Sequence, residues 1–422
     1  MSDPRPASRP SPGPDLRIQA KELDREDELA VKRGEFVLDD TVYLDGNSLG
    51  ALPAHVPDRV ADVINRQWGR LRIRSWGESE WWTAPERIGD RVAPLVGAAP
   101  GQIVVGDSTS VNVFKALVAA VRLVRGEGGG GGDGSGGDPH AERDEIIVDA
   151  TTFPTDGYIA RSAARLTGCR LTPLAPAEVP AALGPRTAAV LLNHADYRTG
   201  RLHDLPGLTA AVHAAGALAV WDLCHTAGAL PVGLDQHGVD LAVGCTYKYL
   251  NGGPGSPAYL YVRRELQDRF DSPLPGWNSH VEPFGMRPEF EAADGVLRGR
   301  VGTPDILSML ALEAALDVWD GVSMDAVRAK SLALTDFFLR CVAAYVPEGL
   351  VESLTPDAHA ERGSQVALRC EGAGDVMKRL IERGVVGDFR APDVLRFGFT
   401  PLYVSFADAE RAARVLAEVL ES

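Results

Sequence analysis

The sequence predicts an α/β protein with a largely parallel sheet covered on both faces, followed by a smaller α+β domain. Three observations carry that expectation. Nearly continuous apolar runs alternate with helical patterns through most of the chain, as buried parallel strands require. Two of these runs lead to residues with chemistry, Asp222 and Lys248, at carboxyl strand ends, where α/β proteins bind their ligands. After about Asp320 the rhythm changes to helix, short strand, helix, short strand, helix.

Residues 1–15 contain five prolines and no apolar segment, so they are expected to be a disordered tail, neither signal nor anchor. Residues 16–60 are assigned to an N-terminal segment packing with the small domain, 61–320 to the large domain and 321–422 to the small one. Ile103-Val104-Val105 is a strand, and Ser108-Thr109-Ser110-Val111-Asn112 opens a helical pattern ending near Val124. From Gly126 to Asp138 nine of thirteen residues are glycine, a flexible surface loop that lengthens a connection. Ile146-Ile147-Val148 and Ala188 to Asn193 are the next strands, and Leu205 to Ala215 is a helix. Strands ending at Asp222 and Gly244 come after it, then Tyr259-Leu260-Tyr261 and a long helix from Ile306 to Trp319. In the small domain, Val366 to Cys370 and Val394 to Phe397 are strands. No internal repeat is visible.

Composition narrows the partners. Hydrophobic content of 45% and charged content of 24% suit a soluble globular protein. A formal charge of −15 argues against nucleic acid or an anionic membrane, so any anionic ligand needs a local set of donors. Five cysteines without CxxC spacing read as reduced residues of a cytoplasmic protein. No apolar run reaches transmembrane length.

The chain has six lysines against 37 arginines, which makes Lys248 informative. A lysine at a buried strand end is desolvated, which favours the free amine as nucleophile and base. Asp222 ends another apolar strand 26 residues upstream. Together they suit pyridoxal 5'-phosphate: the lysine makes the imine, and the aspartate keeps the pyridine nitrogen protonated. Thr109 and Ser110, at a helix start, form a phosphate site or an ordinary cap. Phe153 comes after a strand and either stacks on a flat ring or belongs to the core; Asp156 would orient that ring. His225 lies three residues beyond Asp222, near the ring or simply buried. Tyr247, beside Lys248, is a phenol whose acidity a nearby cation would raise, provided the strand end is irregular; otherwise it is core.

Taken together these segments resemble kynureninases. The resemblance rests on Tyr43-Leu44-Asp45-Gly46-Asn47-Ser48-Leu49-Gly50, on Asp107 to Asn112, and on Phe153-Pro154-Thr155-Asp156. It continues through Asp196-Tyr197-Arg198-Thr199-Gly200, Trp221 to His225 and Thr246-Tyr247-Lys248-Tyr249-Leu250-Asn251-Gly252-Gly253-Pro254-Gly255. Gly302-Thr303-Pro304 and Pro401-Leu402-Tyr403 complete it, in order from about residue 40 to 420.

That resemblance implies pyridoxal phosphate fold type I, the aspartate aminotransferase-like architecture with a mostly parallel seven-stranded sheet. It implies hydrolytic Cβ–Cγ cleavage of kynurenine, or a 3-hydroxy or ring-substituted analogue, to an anthranilate and L-alanine. Lys248, Tyr247 and Asp222 would be catalytic, with Tyr247 acting as general acid and base at the γ carbonyl. Phe153 would stack on the cofactor ring, with Thr155, Asp156, Asn193 and His225 around it. Thr109, Ser110 and Tyr247, together with Trp277 and Thr303 from a second subunit, would surround the phosphate. Arg396 would hold the substrate carboxylate with its bidentate fork. Asn47, Ser48, Trp76, Asn278 and Ser279 would lie beside the substrate. A composite site of this kind implies a homodimer.

The sequence departs from the family in places. Asn193 stands where a small hydroxyl residue is usual, and Gly77 is next to Trp76 where bacterial relatives often carry Asn. Gly276-Trp277-Asn278-Ser279-His280 replaces Gly-Trp-Phe-Gly-His. Asn278 and Ser279 would favour a ring bearing a polar substituent. The rival readings are another fold-type-I enzyme, a cysteine desulfurase or an aminotransferase, and a cofactor-binding scaffold without turnover. Desulfurases usually place a histidine directly before the lysine, where this chain has Tyr247.

Overall fold

The computed structural model describes residues 15–126 and 143–422. Seven strands build the large sheet. Their order in space is Ile103–Val105, Tyr259–Val262, Leu241–Gly244, Leu218–Asp222, Thr187–Asn193, Glu145–Asp149 and Arg170–Leu174. Pairing is parallel from Leu241–Gly244 out to Arg170–Leu174. Tyr259–Val262 alone runs antiparallel to both neighbours.

Alternation along the strands feeds two apolar layers. Ile103, Val105, Ile147, Val190 and Trp221 face one core, which holds Ile88 and Val92 of the helix Ala84–Val96. Val104, Ile146, Val148 and Val220 face the other, filled by Val113, Leu117 and Val121 of the helix Thr109–Arg125. Covered on both faces, such strands have to read as unbroken apolar runs. Arg170–Leu174 gave no such signal because it is the outer edge strand, half exposed and carrying Pro173.

The second sheet has four antiparallel strands in the order Asp388–Arg390, Val394–Gly398, Gln365–Arg369, Glu352–Ser353. The two central strands were legible as apolar runs. The outer two are short and polar.

The N-terminal segment is stitched to this region. Val42–Tyr43 pairs in parallel with Val385–Val386. Asp24 accepts hydrogen bonds from the Phe406 and Ala407 amides at 2.7 and 3.1 Å, meeting free donors at the start of the helix Phe406–Glu421. The buried pair Lys330–Asp27, at 2.6 Å, ties the segment to the helix Met324–Tyr345.

Asp15, expected in the tail, caps the helix Leu16–Glu26 by accepting from the Arg17 amide at 3.0 Å. The rest of the tail, and the glycine run beyond Gly126, lie outside the described residues. All five cysteines are free thiols. No helix among the described residues is long and apolar enough to cross a membrane.

Candidate active site

The carboxyl ends of the large sheet open on a cleft of about 260 Å³ between the large and small sheets. Lys248, Tyr247, Asp222 and His225 line it beside Thr109 and Ser110. Phe153, Thr155, Asp156 and Asn193 line it too, with Asn47, Ser48 and Arg396 at its other end.

Lys248 reaches the cleft because its strand stops at Gly244 and the chain turns from Cys245 to Asn251. The irregular turn lets both Tyr247 and Lys248 line the same space. The N-terminal segment closes over the turn: the Gly50 amide donates to the Tyr247 carbonyl at 2.7 Å. A Cβ at Gly50 would lie 2.3 Å from the Lys248 carbonyl oxygen, so only glycine allows this approach. Lys248 Nζ lies 2.9 Å from His225 Nε2. Burial, then the Lys248 charge, hold His225 well below the usual histidine range, so its ring is neutral.

Asp222 and Asp156 are both buried. Asp222 Oδ1 accepts from the Cys224 amide at 2.7 Å. Asp156 Oδ2 receives Thr152 Oγ1 and Asn193 Nδ2, each at 3.3 Å. Burial first, then the Asp222 charge, push Asp156 well above the carboxylate range. Asp156 therefore keeps its proton beside Asp222. Asn193 thus serves this carboxyl pair, and its carbonyl oxygen also accepts from Thr152 Oγ1 at 2.5 Å.

Phe153 is 43% exposed at the mouth of the cleft, its ring edge-on to Tyr197 at 5.3 Å. A large aromatic face left open beside a buried carboxylate suits a flat heterocycle. Ser108 Oγ caps the next helix through the Val111 amide at 3.4 Å. Thr109 and Ser110 keep their hydroxyls at the cleft wall, where a helix start offers free amides to an anion. These residues could hold pyridoxal phosphate: Asp222 its ring nitrogen, Phe153 its face, Thr109 and Ser110 its phosphate, Lys248 its aldehyde carbon. The buried His225 Nδ1, without a hydrogen-bond partner among the described residues, leaves a further polar contact available.

Two expectations change. The Tyr247 phenol is not made more acidic by Lys248, whose Nζ stands 6.0 Å from its ring centre. Cys245 and burial instead push Tyr247 up, so it keeps its proton. Ser279 does not face a ligand: it is fully buried, and its Oγ accepts from the Gly276 amide at 3.1 Å and donates to its carbonyl at 3.0 Å. Asn278 is engaged in the same way, giving Nδ2 to the Gly302 carbonyl at 3.2 Å. Ser279 therefore offers no free hydroxyl to a ring, while Asn278 lines a cavity apart from the Lys248 cleft.

Trp76, Trp277 and Thr303 stand apart from the Lys248 cleft. Trp76, Trp82, Trp277 and Phe284 form an aromatic rim with centroids 5.4–6.2 Å apart. Trp277 and Phe284 are 37% and 69% exposed. Thr303 lines a separate cavity with Asn278 and Arg300.

Sequence reasoning gave no site role to Tyr197, Cys224 and Arg390, which also line the cleft, or to Asp388, which is paired with Arg396. Asp388-Phe389-Arg390 did carry a signal, two charges two residues apart ahead of an arginine-bearing strand.

A seven-stranded, mostly parallel sheet bearing an aspartate and a lysine at neighbouring strand ends is the architecture of pyridoxal phosphate fold type I. The fold matches the cysteine desulfurase CsdA from Escherichia coli with a TM-score of 0.75 and 21% identity, covering 93% of this chain and 98% of that one. It also matches a C-DES mutant with glycine covalently linked to the PLP cofactor, with a TM-score of 0.74 and 19% identity, covering 91% and 98%. Sequence likeness goes further. Residues 327–416 match the kynureninase C-terminal domain. Over 410 residues the chain is 48% identical to a kynureninase of Deinococcus radiodurans, covering 96% of both proteins. It is 45% identical over 411 residues to a kynureninase of Burkholderia pseudomallei, again covering 96% of both. The chain belongs to the kynureninase family.

Proposed function

We propose that the protein hydrolyses the Cβ–Cγ bond of L-kynurenine to anthranilate and L-alanine, with pyridoxal 5'-phosphate as cofactor. The carrying observation is the convergence of Lys248, Asp222, Tyr247 and Arg396 on one cleft in a chain of this family. When bound, the cofactor supplies an electron sink for carbanionic character at the amino acid's α and β carbons. Asp222, beside a protonated Asp156, would hold a proton on a ring nitrogen. Arg396 binds the carboxylate. Lys248 Nζ removes the α proton, and the neutral His225 ring accepts a hydrogen bond from it. Tyr247, keeping its proton, donates it to the γ-carbonyl oxygen as water adds to that carbon and gives up one proton to solvent; the phenolate then takes an O–H proton from the hydrate as the bond to Cβ breaks and its electron pair stays on Cβ.

The working unit is a homodimer, in which the exposed rim of Trp277 and Phe284 meets a second copy and Trp277 and Thr303 complete its phosphate site. The large and small domains are divided near residue 320, and the compartment is the cytoplasm. The test is product analysis with purified protein. Equimolar anthranilate and alanine from kynurenine support the reading. Sulfide and alanine from cysteine, with kynurenine untouched, overturn it in favour of a desulfurase.

A further inference from the structure

The carboxylate end of the cleft holds a second arginine. Asp388 lies directly across the strand pair from Arg396, and Arg390 is two residues beyond Asp388. Side chains two apart on a strand share a face, and a cross-strand pair shares it too. The pleat therefore sets Arg396, Asp388 and Arg390 side by side. Asp388 Oδ2 accepts from Arg396 NH2 and lies 2.7 Å from Arg390 NH2, so one carboxylate oxygen serves both guanidinium groups. The same oxygen receives Ser48 Oγ at 3.0 Å.

Arg396 is 1% exposed and almost fully engaged by the protein. NH1 donates to the Tyr197 carbonyl at 2.6 Å, and NH2 to Ser48 Oγ at 3.0 Å and to Asp388. The Asn47 amide satisfies its surroundings with its oxygen 3.0 Å from Arg396 Nε. A guanidinium has five N–H donors, so these four bonds leave one. Arg396 in this arrangement meets one oxygen of a carboxylate, not two. Arg390 lines the same cleft, and its buried Nε has no hydrogen-bond partner among the described residues. A buried donor without a partner is costly unless a ligand supplies one.

We infer that Arg390 determines specificity for the substrate carboxylate by meeting the oxygen that Arg396 leaves free, and that Asp388 is the positioning residue that aims both arginines. This rests on the amino-acid hydrolase proposed above. The step is binding only: two guanidinium groups share one carboxylate, and no bond forms or breaks.

The test measures binding of L-alanine and of L-alaninamide to the holoenzyme by the change in its visible absorption, alongside KM and kcat for kynurenine. Arg390→Gln should weaken L-alanine roughly ten- to hundredfold, the range for a lost charge-assisted hydrogen bond, and leave L-alaninamide unchanged. KM should rise by a similar factor and kcat should change by less than about threefold in either direction. Arg390→Lys, which retains the charge beside Asp388, should recover part of the loss. Asp388→Asn should weaken L-alanine but not L-alaninamide. Equal weakening of both ligands, or of neither, in Arg390→Gln overturns the assignment. A variant that is merely less heat-stable with unchanged discrimination also overturns it. If kynurenine is not cleaved at all, the proposed function fails, while discrimination between alanine and alaninamide still decides the role of Arg390.

Discussion

Lys115 and Lys248 belong to the same large sheet region and are held in opposite ways. Lys115 lies inside the helix Thr109–Arg125, 1% exposed, bound to Asp107 Oδ2 and to the Gly299 carbonyl, each at 2.7 Å. Burial lowers its pKa, and Asp107 opposes that. It walls a cavity of about 340 Å³, larger than the Lys248 cleft. Lys248 is less buried, sits on a turn and faces a neutral imidazole. On the proposed function, neither burial nor cavity size marks the reactive amine. An ammonium locked to a carboxylate leaves a charge unpaired when it gives up its proton.

The largest effect that sharpens this contrast is on turnover. Lys248→Ala should abolish kynurenine hydrolysis while thermal unfolding stays within a few degrees of wild type. Lys115→Met should do the reverse, lowering stability by about 1–2 kcal/mol because the Gly299 carbonyl and the half-solvated Asp107 lose their donor, with turnover per folded molecule within tenfold. Exchange of these two outcomes breaks the comparison.

Tyr247→Phe comes next. Removing a phenol that keeps its proton should lower kcat by about 10²–10⁴-fold, the usual worth of a positioned acid, with little change in unfolding temperature. Unchanged kcat would move the acid elsewhere in the cleft.

Asp45 supplies a smaller, pH-dependent effect. Burial, opposed by Ser48, raises its carboxyl from 3.8 to about 6. A raised acid is favoured in its protonated form by folding, so that contribution is complete below the unfolded value and lost as pH rises through about 6. Asp45→Asn should therefore gain on wild type between pH 4 and pH 8, by about 2 kcal/mol at the upper end. A stability difference that is flat across this range contradicts the assignment.

The smallest effect concerns Ser279. Ser279→Ala should lose about 1 kcal/mol of stability through its bonds to Gly276, and leave the ratio of kcat/KM for kynurenine and 3-hydroxykynurenine unchanged. A shifted ratio would return Ser279 to the substrate pocket.

The central strands, Asp222 and Lys248 were legible because two-sided burial forces apolar runs, and a residue at or just past the carboxyl end of such a strand opens onto the cleft. Arg170–Leu174 was hidden by its half-exposed edge position. The direction of the Tyr247 shift was missed because it depends on Cys245, two residues earlier on the turn, and on burial that no spacing reports. Ser279 looked like a pocket hydroxyl because sequence cannot show a side chain turning back onto Gly276. Arg390 and Asp388 acquire meaning only once the strand register places them beside Arg396.

The central claim is that Lys248, among six lysines, carries the cofactor. Borohydride reduction of the yellow holoenzyme, with peptide mapping of the product, tests it most directly. The account predicts a single reduced pyridoxyl adduct, on Lys248. Recovery of the adduct on Lys115, Lys330 or any other lysine would contradict it.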